Sequence, residues 1–259
     1  MPVLQKPKEY FVEDIGRARN LLAFAREGMN IPDVVKNDIL RTAWMMAVGA
    51  CDAYFCDAYC DLLVRTFRAL DKQKDKKIPD AIANQTVPVK DYIISYKTEG
   101  GWKWRNYGRK KIEKENVLAL KQIKDLMNPF LKVETKLFNE STFESWILHP
   151  DCKRREIGIL PSKYKKIENL KDKKEIRIQA LAHFEEHYKN IFQRRHDCIH
   201  NCDRPKSALQ NISDVDVEKT IEDIEFLVCH CHEIFETGFP LFLTEQCGFS
   251  KTTKTIVCL

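Results

Sequence analysis

The sequence lacks an uninterrupted apolar stretch of the kind that crosses a membrane. Its longest apolar run, Ala43–Val64, contains Asp52, Asp57 and Asp61, and three carboxylates are too many for a bilayer span. The chain begins Met1-Pro2-Val3, which lacks the pattern of a secretory signal peptide. We therefore expect a cytoplasmic protein with no membrane partner.

The sequence also lacks a Ser/Gly-rich linker or an abrupt change in composition. Its 259 residues are enough for a sizeable core, so we expect a single domain over residues 1–259. The net charge of +5 is modest and predicts that a polyanionic partner would meet a local patch. Ten cysteines without the spacing of a small disulfide scaffold indicate a reducing cytosol.

No segment alternates apolar and polar residues with a period of two, so the sequence predicts an all-α fold. Apolar residues recur at helical spacing over about residues 10–70 and 174–238, which predicts the core helices of an antiparallel bundle. Residues 71–161 carry a Lys-rich run, prolines and glycines, and we expect an irregular, loop-rich insertion there, with one less regular helix over 116–138. The apolar positions of the last predicted helix are Val217, Ile221, Ile224, Val228, Cys231 and Phe235.

A charged residue interrupts the apolar seam of the helix predicted from about Lys174 to His200. The positions of that seam are Leu181, Phe184, Tyr188, Ile191, Arg195, Cys198 and Cys202. A guanidinium in a core stripe is costly unless it is paired or opens onto a wet, anion-binding cavity. Arg195 is therefore the first candidate functional residue.

Two histidines follow Arg195 on the same helix. His196 and His200 are four residues apart and share a face, whereas Arg195 and His200 would differ by about 140° on a regular helix. Arg195 and His200 could converge if the helix ends near His200, or if two copies of the helix meet in a symmetric dimer.

Three groups of residues suggest a metal site, and we weigh each against a structural role. The run from His196 to His200 resembles the paired histidines of zinc proteases, but Asp197 is shorter than the Glu that serves as base there and two arginines precede the motif. The Cys229–His232 run places neighbouring residues on different helix faces, which favours structural thiols. The spacing of Asp52, Asp57 and Asp61 does not gather them on one face, which favours solvated or capping carboxylates. We expect no metal.

A second cationic stretch interleaves aromatic and basic residues, the chemistry that stacks bases and neutralises phosphates. The candidate RNA-binding residues are Trp102, Lys103, Trp104, Arg105, Arg109 and Lys110, with Arg194 beside the motif. The alternative is a short strand or loop whose Trp side chains pack against the bundle.

The chain lacks a phosphate-cradling Gly loop and a carboxylate triad for magnesium, while it carries Arg and His at one site. This combination fits metal-free RNA cleavage without a cofactor. Histidine titrates near neutrality and suits proton transfer, and Arg gives a two-point contact to a phosphorane.

The run from Arg195 to Asn201, near a helix end and followed by a final amphipathic helix, resembles the R-x4-6-H motif of the HEPN superfamily in prokaryotic toxin and defence systems. The resemblance covers residues 174–238, and more loosely the first two helices. It implies a metal-independent endoribonuclease that dimerises through the motif helices, with Arg195 and His200 in a composite cleft. His196 and Asp197 match the polar positions after the motif arginine, and we expect these two residues, with Asn201, to orient the scissile group.

The resemblance leaves two functions open. The first is an RNA-cleaving homodimer, a toxin or antiviral defence effector, with an antitoxin or nucleotidyltransferase as a possible further partner. The second is a non-catalytic module that binds RNA, a nucleotide or a protein partner. An intact Arg-His pair favours the enzyme, because a purely structural seam would carry an apolar residue at position 195.

Overall fold

The computed structural model describes residues 2–28, 31–85, 102–112, 118–204 and 208–258, with the backbone alone at 102–104, 106, 107 and 256. The α-helices of this part are α1 Gln5–Glu27, α2 Asp33–Lys72, α3 Asp80–Ala83, α4 Trp102–Ile112, α5 Leu120–Met127, α6 Phe143–Leu148, α7 Arg154–Ile157, α8 Pro161–Lys165, α9 Leu170–His200, α10 Asp214–Leu241 and α11 Lys251–Cys258. No described residue lies in a β-strand, which confirms the all-α prediction. Among the described helices, none is both long and apolar enough to cross a bilayer.

The long helices form where the sequence predicts them, since their apolar residues recur at helical spacing. In α1 the predicted apolar stripe is buried throughout, with Phe11, Ile15, Ala18, Leu22 and Ala25 each no more than 4% exposed. The apolar seam of α10 is fully buried from Val217 to Phe235. At the start of α10, the backbone N–H of Asp216 donates to Ser213 Oγ at 3.1 Å, which satisfies one otherwise unpaired donor of the first turn.

Contacts divide the chain into two compact units. The first unit comprises Met1–Lys8, Phe55–Leu137 and Cys231–Leu259, and the second comprises Glu9–Tyr54 and Phe138–His230. Helices α2 and α10 each contribute residues to both units. A single domain over residues 1–259 stays a prediction.

The second unit is built around an aromatic cluster that joins α6 to α9. Trp146 and Phe184 are fully buried with ring centroids 5.2 Å apart, and Phe184 lies 4.5 Å from the ring of Tyr188. The hydroxyl of Tyr188 donates to the backbone carbonyl of Asp223 at 2.7 Å, which connects α9 to α10. These contacts therefore anchor the middle of α9 to α6 and α10, and the motif lies further along the same helix.

The insertion is more helical than the sequence predicts. Trp102–Ile112 is an α-helix, so the alternative of a strand or loop for this stretch is wrong. The single helix expected over 116–138 is also wrong in its length, because α5 spans Leu120–Met127 and passes into a 3-10 turn at Asn128–Phe130. Pro129 lies in that turn, and proline cannot continue the hydrogen bonding of an α-helix.

Candidate functional site

Helix α9 stays regular as far as the second motif histidine and then ends abruptly. The backbone N–H groups of Asn201 and Asp203 both donate to the carbonyl of Asp197, each at 2.9 Å. Cys202 and Asp203 have φ angles of 48° and 58°, a left-handed conformation in which Asp is better tolerated than most residues. The helix end predicted near His200 is confirmed.

Arg195 lies where the apolar seam of α9 reaches the surface. Ile191, one turn earlier, is 5% exposed, whereas Arg195 and Cys198 are half-buried and Cys202 is exposed. The predicted apolar seam is therefore wrong at its C-terminal end. The Nε atom of Arg195 is buried without a hydrogen-bond partner, and among the described residues Arg195 has no ion pair. This guanidinium carries an unused donor.

The two motif histidines share an exposed face, as predicted from their spacing. The ring centroids of His196 and His200 are 4.4 Å apart with 44° between the ring planes, and both residues are exposed. Asn201 caps the helix beside them and is also exposed. A ligand at the helix end can therefore reach both imidazoles and the amide.

Asp197, next to His196 in the chain, is 7% exposed. Its Oδ1 accepts hydrogen bonds from Gln193 Nε2 at 3.0 Å and Asn201 Nδ2 at 3.4 Å, and its Oδ2 accepts from Gln210 Nε2 at 3.4 Å. Among the described residues no cation pairs with it. This carboxylate is therefore buried, whereas the neighbouring histidines are exposed.

Arg194 is engaged by the protein itself. Its guanidinium lies 4.9 Å from the centroid of the Trp44 ring, and its Nη2 donates to Asp203 Oδ2 at 3.2 Å and to the Asn211 carbonyl at 2.8 Å. Its side chain is 14% exposed. The sequence places Arg194 among the RNA-binding residues, and these contacts show that it also fixes the loop after α9.

A buried carboxylate that the sequence does not single out joins three elements at this point. Asp203 is fully buried, and its Oδ2 accepts a hydrogen bond from Arg41 Nε at 2.8 Å as well as the one from Arg194. Arg41 also donates to the Gln210 carbonyl at 2.8 Å. Burial, reinforced by the Asp203 charge, raises the pKa of the nearby Cys198 thiol to about 11. An Asp in a loop carries no sequence signal of burial, so only the fold reveals this role.

Residues of α9 and α10, with Trp44, Arg155 and Gln210 from other segments, line an open cavity of about 450 Å³ beside the motif. Arg194 and Asp197 line it at the C-terminal end of α9, and His187 and Asp223 line it further along the two helices. Since ten residues of helix rise by about 15 Å, the cavity extends along much of the groove. Trp44 and Ile191 give it an apolar wall.

The end of the cavity away from the motif holds a tightly paired carboxylate. Asp223 is 2% exposed; its Oδ2 lies 2.8 Å from His187 Nε2, and its Oδ1 accepts from Arg155 Nε at 2.8 Å. Burial tends to raise the pKa of Asp223, but the contacts with His187 and Arg155 outweigh it and lower the pKa. Neighbouring Glu156 is fully buried, and burial raises its pKa to about 8.

In the first unit, two of the predicted RNA-binding arginines on α4 face carboxylates of α2. Arg105 Nη1 lies 2.9 Å from Asp61 Oδ1, and Arg109 Nη2 lies 3.5 Å from Asp57 Oδ1. Asp57 and Asp61 are therefore ion-pair partners, which corrects their interpretation as solvated or capping groups. Arg109 stays 53% exposed and Arg105 only 26%. Lys110 is exposed, and the side chains at 102–104 lie outside the described residues.

Comparisons with known proteins identified no relative of this chain. The chain matches no protein-family model, and searches against curated proteins and solved structures gave no significant match. The proposals below rest on the residues and their geometry.

Proposed function

We propose that this chain is a metal-independent endoribonuclease of the HEPN type, a toxin or antiviral defence effector. Arg195 binds the scissile phosphate and stabilises the phosphorane. His200 transfers protons between the 2′-hydroxyl and the leaving oxygen. His196 and Asn201 orient the phosphate from the same exposed helix end. Asp197 orients the group indirectly, because it accepts a hydrogen bond from Asn201.

The guanidinium of Arg195, which has no ion pair among the described residues, carries this proposal. Its Nε atom is buried without an acceptor, as are those of Arg177 and Arg194 on the same helix. Arg41, Arg155 and Arg194 in the same unit nevertheless pair with carboxylates, so the missing ion pair distinguishes Arg195. A half-buried charge without a countercharge is costly, and a bound phosphate would supply the countercharge through a two-point contact.

The histidine pair supports a proton-transfer role at the same helix end. His196 and His200 are exposed and adjacent, so a substrate can reach them. Cleavage through the 2′-hydroxyl needs a group that takes the proton of that hydroxyl and returns one to the leaving oxygen, and an imidazole can do both.

The geometry of α9 also favours a site shared by two copies of the chain. The helix is regular through His200, so Arg195 and His200 stay on faces about 140° apart. Since no early break brings them together, one cleft that holds both is most easily formed by a second copy of α9. We propose a homodimer through this helix, with RNA as the substrate.

Chemistry without a metal fits the environment of the histidines. Within the described part of the chain, no cluster of three metal-ligating side chains includes His196 or His200. Asp197, the carboxylate nearest to them in sequence, is buried and held by three amides. A non-catalytic module that binds RNA, a nucleotide or a protein partner is the second candidate, and an antitoxin or nucleotidyltransferase could regulate either form.

Growth of a bacterial host that expresses the chain separates the two functions. The enzyme should arrest growth and degrade cellular RNA, and His200→Ala should restore growth at equal protein level. Equal growth of the two strains, with intact RNA in both, would favour the binding module.

A further inference from the structure

Three charged side chains that line the cavity between α9 and α10 have no ion pair among the described residues. They are Asp197, which is buried, and Asp216 and Lys219, which are exposed. Asp216 accepts a hydrogen bond from the Ser213 hydroxyl. The other charged groups of the lining are paired, since Asp223 binds Arg155 and His187, and Arg194 binds Asp203. The buried carboxylate inside and the ammonium at the mouth are the charges that a ligand would meet.

Asp197 has spare capacity to accept hydrogen bonds. A carboxylate offers about four acceptor positions. In Asp197 those of Oδ1 are taken by Gln193 and Asn201, whereas Oδ2 has a single, long contact from Gln210 at 3.4 Å. A buried carboxylate without a cation is unfavourable unless more donors reach it. The cavity therefore favours a ligand that presents N–H groups to Asp197.

A guanine base meets this requirement without adding charge. Its Watson–Crick edge carries two adjacent donors, N1–H and the N2 amino group, which can both point at Oδ2, the oxygen of Asp197 that has room for a further donor. Adenine, cytosine and uracil each place an acceptor beside a donor on that edge, so a carboxylate would repel part of it. The apolar wall of Trp44 and Ile191 can cover a base face, and a volume of about 450 Å³ is within the range of small-molecule sites.

We propose that this cavity receives an unpaired guanine of the RNA substrate, with Asp197 accepting from N1 and N2 and Lys219 holding the adjoining phosphate at the mouth. This inference rests on the proposed function and deepens it, because it assigns the enzyme a single-stranded, guanine-containing substrate. Recognition of a splayed-out base by its Watson–Crick edge is a general mode for single-stranded RNA.

Calorimetric titration of the full chain with guanosine, inosine and adenosine monophosphates tests the proposal without relying on cleavage. Inosine lacks the N2 amino group and adenine lacks both donors, so affinity should fall in the order guanosine, inosine, adenosine. A two-point contact contributes about 1 to 3 kcal/mol of discrimination, which corresponds to roughly 5- to 150-fold in affinity. Asp197→Asn should remove this preference.

The matched control is Glu186→Gln, the same change of carboxylate to amide on α9, at a side chain that is 59% exposed and paired with Lys189. It should leave guanosine binding unchanged. If Asp197→Asn does not fold, the order of the three nucleotides on the unaltered chain still decides the matter. Equal binding of adenosine and guanosine monophosphates, or binding of none, would overturn the proposal. RNA cleavage without guanosine binding would contradict the guanine site and support the nuclease. Guanosine binding without RNA cleavage would support the guanine site and contradict the nuclease.

Discussion

Arg41 Nε donates to Asp203 Oδ2 at 2.8 Å between side chains that are 9% and 0% exposed. This contact joins α2 to the loop after α9, across 162 positions of sequence. Arg194 donates to the same oxygen. The C-terminal end of the motif helix is thus held by one buried carboxylate between two guanidinium groups.

Asp203→Asn should lower the free energy of unfolding by about 3 to 5 kcal/mol, because it leaves two arginines without their shared carboxylate. Asn tolerates the left-handed backbone at this position, so the loss would come from the charge. Urea denaturation followed by circular dichroism measures it.

The control for the buried contact is Arg26→Ala, which removes an exposed arginine from its pairs with Asp214 and Glu218. Surface ion pairs contribute little, so its effect should be much smaller. If the two variants lost equal stability, the buried Asp203 contact would contribute no more to stability than a surface ion pair.

Arg195→Lys should lose most RNA cleavage although it keeps the charge, because an ammonium does not give the planar two-point contact that a phosphorane needs. His200→Ala should lose activity without unfolding, since His200 is exposed. Cleavage of a labelled single-stranded RNA, with circular dichroism of each variant, measures both effects.

EDTA should leave cleavage by the unaltered chain unchanged, because His performs the proton transfer that a metal-bound water performs elsewhere. Activity abolished by chelation and restored by zinc would contradict the mechanism and assign His196 and His200 to a metal.

The chain should have twice its monomer mass in solution if Arg195 and His200 act across two copies of α9. Analytical ultracentrifugation at micromolar concentration measures this mass. Mixing Arg195→Lys with His200→Ala should restore part of the activity, because a mixed dimer retains one intact Arg-His pair. A strict monomer that cleaves RNA would exclude the shared site.

Stability should fall as the pH rises from about 4.5 to about 8, because burial raises the pKa of Glu156 to about 8 from its ordinary value of 4.5. The folded state holds the proton more tightly than the unfolded state, so this contribution is complete below pH 4.5 and is lost as Glu156 ionises near pH 8. The loss should be on the order of a few kcal/mol. Glu156→Gln, which cannot ionise, should flatten the denaturation midpoints over this interval; an unchanged slope would show that Glu156 is not the group responsible.

Arg109→Ala should weaken RNA binding with little change in turnover, because a phosphate contact acts mainly on affinity. The slope of log affinity against log salt concentration should fall by about one. Arg109 is 53% exposed and only loosely paired with Asp57. Filter binding at several salt concentrations measures this slope. The control Val133→Ala, at an exposed position of the same unit, should leave the slope unchanged. An unaltered slope for Arg109→Ala would contradict a role of α4 in RNA binding.

The periodicity of the sequence was sufficient to predict the long helices and the local geometry of the motif. The buried stripes of α1 and α10 and the shared face of His196 and His200 follow from a helical repeat of 3.6 residues. These features depend on neighbours within one helix, and neighbours along the chain are visible in the sequence.

Tertiary structure decided which charged side chains form ion pairs within the protein and which do not. Arg194 and Arg195 are adjacent in sequence, yet the first lies over Trp44 and pairs with Asp203, while the second has no ion pair among the described residues. Asp203 became a buried partner of Arg41 through a contact across 162 positions. Such pairings depend on which distant helices pack together, and the energy of a charge depends on its burial and its partners, neither of which a local pattern contains.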